Sequence, residues 1–559
     1  LTKKKVTSSK KKRAVQAKSS GKQNKLPLEL IACFAIFVLG LIYMIRIESQ
    51  YVDFGIDRDE AAYSIFGETL RTGGAMYKDA YSFKPPAIYY TYAAINTIFG
   101  YTPSGLRWSL IASNMLAAML LFLFAFRWKG PVFALIAATA YLFFEFNPFV
   151  FGFAAVAEQY QNLFAILSLV LIQHGAIKKK WIYFLAGGFF MTFCVLIKQN
   201  MIFAYLALSA VLGWYYLFES KTRELKPLVH FVAGSAIAVV LIFVPLFVQG
   251  TFYDWIYWNF TYTKLYVSAM PWERGKELLM SFGNMVITRF SPWMWVAGIV
   301  GVIAGIVQAK PMAAKIGISL FLMAAIVSIF PGLRFYPHYW SYFSPILAIG
   351  CAWLVHTISR LLSMKMHKRW SHSIGILLFA AGIVYTIQNN DTFFDNPDEL
   401  IVNRSLYGDN PFTETRYLGE YLKKIIQPDE QVLLFGSEPE IFNYLGRTPS
   451  RPDMFFSILL GPHERRDDMI KATQDWAQTN KPKYVFFSNH PFSWSMTSES
   501  DPAIYNWAYN YVKQNHKPIA IAEIISGQRP QIILGEQAET HQLTSDKWVM
   551  IFERVSNLN

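Results

Sequence analysis

The sequence predicts an α-helical polytopic membrane protein with about eleven transmembrane helices and a C-terminal soluble α/β domain. Three observations carry that prediction. The 559 residues are 53% hydrophobic but only 16% charged, against about 25% charge in ordinary soluble domains. Apolar runs of helix-spanning length recur from residue 29 to about 390. Beyond residue 390 the pattern changes to short strand-like runs alternating with amphipathic helices.

The chain opens on a Lys/Arg-rich stretch, residues 1–28, expected as a disordered cytoplasmic tail held near anionic lipid. The first apolar run, 29–46, lacks a small-residue cleavage pattern and reads as an uncleaved span. Further spans are expected near 104–126, 131–146, 159–177, 181–197, 200–218, 227–249, 289–308, 316–330, 344–362 and 370–389. The gaps between them alternate in charge. One set holds Arg127 and Lys129, Lys178 to Lys180, Lys221, Arg223 and Lys226, Lys310 and Lys315, then Arg360, Lys365, Lys368 and Arg369. The short gaps of the other set hold almost no basic residue except Lys198 and Arg334. That asymmetry is the positive-inside pattern of a multi-pass inner-membrane protein. The net charge of +14 therefore belongs to the tail and inner loops, and nucleic acid is not an expected partner. Cys33, Cys194 and Cys351 lie in apolar runs without paired spacing, neither a disulfide framework nor a metal site.

The expected division is a tail (1–28), a membrane module (29–390) with long outer loops at 47–103 and 250–288, and an extracytoplasmic α/β domain (391–559). The 250–288 loop contains YDWIYWNFTYTKLY, aromatic enough to lie at headgroup depth as a lid. In the last domain a helix is expected from Pro411 with Asn410 as N-cap. Strands are expected at 431–436, 484–488, 519–525 and 548–552, with helices near 465–478 and 503–515. No phosphate loop or catalytic triad motif occurs there, so packing or acceptor binding is expected of it.

The chemistry concentrates in the first outer loop, DRDEAAYSIFGETLRTGGAMYKDAYSFKPP (57–86). Asp57 and Glu60 have capping-box spacing at the start of a helix whose apolar face is Ala62, Phe66 and Leu70. That leaves Asp59 without a structural task. An acid at a helix N-terminus stays ionised, which suits a base taking a proton from an alcohol; a solvated loop acid is the plainer reading. Lys84 precedes Pro85-Pro86 and a helix start, an anion-binding arrangement, or else a snorkelling interfacial lysine. Glu158, Lys198, Arg334 and His338 sit at span ends on the same face. Cations opposite the positive-inside bias suit a shared anionic ligand: a phosphate beside a base.

The Asp-Glu pair in the first outer loop, Lys84-Pro85-Pro86, Ala157-Glu158, Lys198-Gln199 and Arg334-x-x-x-His338-Tyr339, in that order, resemble the GT-C membrane glycosyltransferases. The closer group contains the protein O-mannosyltransferases and the lipid A aminoarabinose transferases. The resemblance runs from residue 50 to about 460. It implies inverting transfer of one sugar from a polyprenyl-phosphate carrier to an acceptor hydroxyl on the outer face. By that analogy the catalytic acids are Asp59, Glu60 and Glu158, with Asp59 as base. Lys84, Arg334, His338 and Lys198 would meet the donor phosphate, and Asp57, Tyr63, Gln159 and Tyr339 the acceptor or sugar. No cofactor is required. A divalent metal on the Asp57-x-Asp59 pair stays open but unsupported, because the aminoarabinose transferases carry an acid where this chain has Phe83. The alternative outside enzymes is a transporter or flippase of a lipid-linked sugar, disfavoured by the absence of an internal repeat and by charges gathered at one face.

Overall fold

The computed structural model describes residues 28–497 and 500–555; the basic tail therefore lies outside the described residues except for Leu28. Every apolar run expected to span is helical. Seven helical stretches among the described residues are long and apolar enough to cross a membrane: Leu28–Ser49, Pro103–Lys129, Ala157–Lys178, Gln199–Glu219, Lys226–Val248, Pro337–Leu362 and Trp370–Gln388. Pro131–Phe146, Trp181–Ile197 and Met312–Ser328 are shorter apolar helices. At 1.5 Å per residue they reach about 25 Å, short of the roughly 30 Å apolar thickness of a bilayer. Trp272–Thr288 and Pro292–Gln308 are bent against each other by 97°. The first of these lies across the direction of the second, as suits the end of an outer loop.

Glycines set the closest helix crossings. An added Cβ at Gly188 would run into the Phe231 carbonyl, and one at Gly234 into that of Leu185, so Trp181–Ile197 and Lys226–Val248 meet backbone to backbone. Gly301 faces the Gly350 carbonyl, and Gly350 that of Gly298, in the same manner. With lipid as apolar as any side chain, such van der Waals contact is what holds spans together. The three cysteines are free and buried.

The C-terminal part forms a five-stranded sheet: β1 (Val432–Phe435), β2 (Tyr484–Asn489), β3 (His516–Glu523), β4 (Gln531–Leu534) and β5 (Trp548–Arg554), in the order β1-β2-β5-β3-β4. Only β1 and β2 pair in parallel. Four strands fall where the sequence predicts them, whereas β4 does not: its burial is partial and its polar Gln531 opens it, so hydrophobic alternation is weak. Helices Arg466–Asn480 and Ala503–Asn515 match their predicted positions. The helix after Pro411 runs from Phe412 to Ile425 without a side-chain cap. Asn410 is not its N-cap; its side chain donates instead to the Tyr407 carbonyl at 2.6 Å.

Candidate functional site

The first outer loop folds as the short helix Arg58–Arg71 and, beyond the Lys84-Pro85-Pro86 turn, the helix Ala87–Phe99. The capping box is present in full: the Asp57 carboxylate accepts from the Asp59 and Glu60 amides, and Glu60 accepts from the Asp57 amide. The helix is not amphipathic as its period suggests; every residue from Glu60 to Thr69 is buried.

Glu60 is expected among the catalytic acids, and the structure gives it another task. It is fully buried, pairs with Arg107 at 3.0 Å and accepts the Ala155 amide at 2.6 Å. Asp57 is likewise engaged, by the cap and by the Tyr407 hydroxyl, which donates to it at 3.4 Å. Burial, reinforced by Glu60 and Asp59, pushes the Asp57 carboxyl up to about 8. Among the described residues no three His, Cys, Asp or Glu side chains are grouped to hold a metal.

Arg107 has no place in the sequence argument. It is 2% exposed, and its guanidinium donates to the Phe153 and Gly55 carbonyls as well as pairing with Glu60. It thus ties the loop before Asp59 to the loop before Glu158. Its signal was an arginine inside a predicted span, where an ionisable group calls for a partner.

Asp59 remains, partly exposed, and its carboxylate makes no hydrogen bond or ion pair among the described residues. Around it stand the groups from distant parts of the chain. The field at Lys84 is set by Lys198, Asp59, Glu158 and Arg334, and the field at His338 by Glu158, Lys198, Asp59 and Lys84. Tyr63 feels Asp59, Glu158 and Tyr339. Asp59, Lys84, Glu158, Lys198, Arg334, His338, Tyr63 and Tyr339 therefore share one electrostatic neighbourhood. Burial, then the nearby Lys198 charge, lowers the Lys84 ammonium to about 8. Its Nζ lies 4.7 Å from the Phe83 ring, with no carboxylate against it.

Lys198 differs from its expected role. It forms a buried ion pair with Glu158 and stands 4.1 Å over the Tyr339 ring, so its charge is already matched. His338 Nε2 completes that group, 3.8 Å from Glu158. Polar capacity is left over: Glu158 Oε2, Gln159 Oε1, His338 Nδ1 and Arg334 Nε are buried without a partner. Buried polar atoms are usually paired, and these four belong to that group of residues or to the segments that carry it. Arg334 is presented between Leu333 and Phe335, whose φ of 51° and 47° are left-handed. That conformation is costly for non-glycine residues and tends to persist at functional sites.

The 250–288 loop closes one side. Phe83 lies 5.3 Å from Tyr266, whose ring carries Arg334 at 3.9 Å, and Tyr81 lies 4.9 Å from Trp258. The same loop reaches the C-terminal domain through Tyr257 to His463 at 2.8 Å and Asp254 to Arg465 at 2.6 Å. Between Phe260–Leu265 and Pro462–Asp467 opens a cleft of about 870 Å³. On the membrane side an apolar cavity of about 360 Å³ runs between spans, with Phe124, Leu169, Leu208 and Phe321 in its walls and Tyr342 at its head. The Tyr342 hydroxyl bonds Gln161 at 2.8 Å, one helical turn from Glu158.

The family described as dolichyl-phosphate-mannose-protein mannosyltransferase matches residues 83–248, the stretch from Phe83-Lys84 through Glu158 and Lys198. No curated protein matches the sequence. Among solved structures, ArnT from Cupriavidus metallidurans is similar at TM-score 0.54 in its apo state and 0.53 bound to undecaprenyl phosphate. Both are 12% identical and cover 93% of this chain and 98% of that one. The oligosaccharyltransferase AglB from Archaeoglobus fulgidus, in complex with an inhibitory peptide and a dolichol-phosphate, is 10% identical at TM-score 0.50, covering 94% of this chain and 76% of its own. The described architecture, many apolar helices below a mixed α/β domain with Asp59 at their junction, is that of a multi-pass membrane protein with the GT-C glycosyltransferase fold.

Proposed function

We propose that the chain transfers a sugar from a polyprenyl-phosphate carrier to an acceptor hydroxyl, at the outer face of the inner membrane. The observation that carries the reading is the meeting of Asp59, unbonded, with Lys84 of the same loop and with Arg334 and His338 from a segment some 250 residues on. Asp59 takes the proton of the attacking hydroxyl as its oxygen forms the bond to the anomeric carbon. The bond from that carbon to the phosphate breaks, and the carrier phosphate leaves with the electron pair. Attack opposite the leaving group inverts the anomeric centre. Lys84 and Arg334 meet the charge that grows on the phosphate, the larger contribution in a site with little water. The Glu158–Lys198 pair, with His338 and Tyr339, shapes the sugar pocket rather than gripping the phosphate. The apolar cavity below Tyr342 suits the first isoprenoid units of the carrier.

The solved relatives support the lipid-phosphate part of this reading, one being bound to undecaprenyl phosphate and another to a dolichol-phosphate with an inhibitory peptide. The test is release of free polyprenyl phosphate from a labelled lipid-linked sugar, which a transporter or flippase would not produce. Asp59→Asn is expected to lower turnover by about 10²-fold or more while expression and membrane insertion stay normal, since the carboxylate supports no contact. Normal turnover in that variant would remove Asp59 as the base.

A further inference from the structure

The backbone just before Asp59 is held from outside the membrane module. The Gly55 amide donates to Glu399 Oε1 at 2.8 Å, and the Ile56 amide to the Tyr444 hydroxyl at 3.0 Å. Tyr407 reaches Asp57. Arg58 is held most firmly: its Nε donates to the Ser437 carbonyl at 2.9 Å, and its Nη2 meets Glu438 at 3.3 Å. Its guanidinium also lies 5.4 Å from the Phe412 ring. Four consecutive residues thus take partners from the C-terminal domain, and the fifth, Asp59, takes none.

Glu438 is built for that contact. It is fully buried in the turn after β1, where its Oε2 accepts the Ser437 amide at 2.8 Å and its Oε1 is shared by Arg58 and the Ser493 hydroxyl. Gly436 just before it has φ of 143°, and a Cβ there would collide with the Glu438 carboxylate. The turn therefore leaves room for this carboxylate beside the Gly436 backbone, where it meets Arg58.

We propose that the C-terminal domain is a clamp on residues 55–58 and that Glu438 is its positioning residue, acting through Arg58 to aim the Asp59 carboxylate. The inference rests on Asp59 being the base of the transfer proposed above. A charge-assisted contact to a group next in sequence to the base controls its placement, and a displacement near 1 Å costs about 10²-fold in rate.

The experiment uses the full chain in detergent, with carrier-lipid kinetics and peptide-level hydrogen exchange. Glu438→Gln leaves one oxygen where three donors use two and removes the charge facing Arg58, and kcat should fall about 10-fold or more with KM for the carrier within about twofold. Exchange of the peptide over 55–60 should quicken. Glu523→Gln is the control: an equally buried acid of the same domain, bonded only to His541, Thr544 and Ser545. It should lower the melting temperature and leave kcat within twofold. Arg58→Met with Glu438→Met should be no slower than the slower single variant. Unchanged kcat in Glu438→Gln, losses that multiply in the double variant, or an equal loss in Glu523→Gln would each overturn the clamp. Should Glu438→Gln not fold, Arg58→Met carries the same test from a side chain 22% exposed. If the wild type releases no carrier phosphate, the transferase reading fails by itself. The exchange arm then still judges the clamp, which falls if residues 55–60 exchange as in the wild type.

Discussion

Lys84 offers the most direct residue-scale test, because its ammonium titrates near physiological pH. Burial and the Lys198 charge hold it at about 8, well below the usual lysine value. Below that pH the side chain is cationic and able to meet a phosphate; above it the charge is lost, about tenfold per pH unit. The expected outcome is a kcat/KM for the carrier lipid that falls above pH 8 with a slope of one, since this ratio reports the free enzyme. Lys84→Arg keeps its charge at any accessible pH and should remove that alkaline limb. A limb unchanged in the arginine variant would take Lys84 out of the phosphate site. At this scale the sequence places Asp59 and Lys84 beside helix starts, and the helices Arg58–Arg71 and Ala87–Phe99 begin there. It did not give the partners of Glu60 and Lys198, because a pattern of charges does not tell which ones neutralise each other. Glu60 meets Arg107 and Glu158 meets Lys198 only after folding.

Elements are where the sequence spoke most clearly. Apolar runs end at Gly130, Lys180, Pro311 and similar breakers, and the helices stop there. Helix-to-helix contact is less visible, since a glycine in an apolar run looks like any small residue. Pro292–Gln308 and Ser344–Leu362 approach through Gly301 against the Gly350 carbonyl, Gly350 against that of Gly298, and Gly298 against Leu347. Gly301→Val should push these spans apart at a cost of about 1–3 kcal/mol or more, measured as a lower melting temperature in detergent. Gly213, with nothing close to its added Cβ, is the comparison: Gly213→Ala should leave the melting temperature unchanged or raise it slightly. Equal behaviour of the two variants would deny the glycine contact its structural role. The aromatic 250–288 loop was legible as a segment, but its contacts were not. Tyr257 and Asp254 seek His463 and Arg465, some two hundred residues on.

Across the whole molecule, Arg107 joins what the chain separates. Its guanidinium bonds Gly55, Phe153 and Glu60, so the first outer loop, the loop before Glu158 and the span Pro103–Lys129 share one buried group. Arg107→Met would leave Glu60 buried without its counter-ion, a loss of about 3–5 kcal/mol. A thermal shift of that size is expected, together with loss of transfer. Arg107→Met with Glu60→Met should recover part of the stability, because an apolar pair replaces a broken ionic one. If the double variant is no more stable than the single, the Glu60 charge is not what the arginine serves. The C-terminal domain acts on the same loop through Glu399, Tyr444, Tyr407 and Glu438. The helix bearing Asp59 is fixed from below by the membrane body and from above by that domain.

Hydrophobic periodicity, charge sidedness and turn residues act over a few residues at a time. They were enough by themselves to determine a helical membrane body, four of the five strands of the last domain and the capping box. Which cation meets which carboxylate, that Arg107 lies under Asp59, and that Glu438 stands over it are set by contacts between residues 40 to 380 positions apart. Such pairings leave no local pattern, because burial makes a charge seek whatever partner the packed helices bring near. Tertiary structure alone decided which acid was left without a partner.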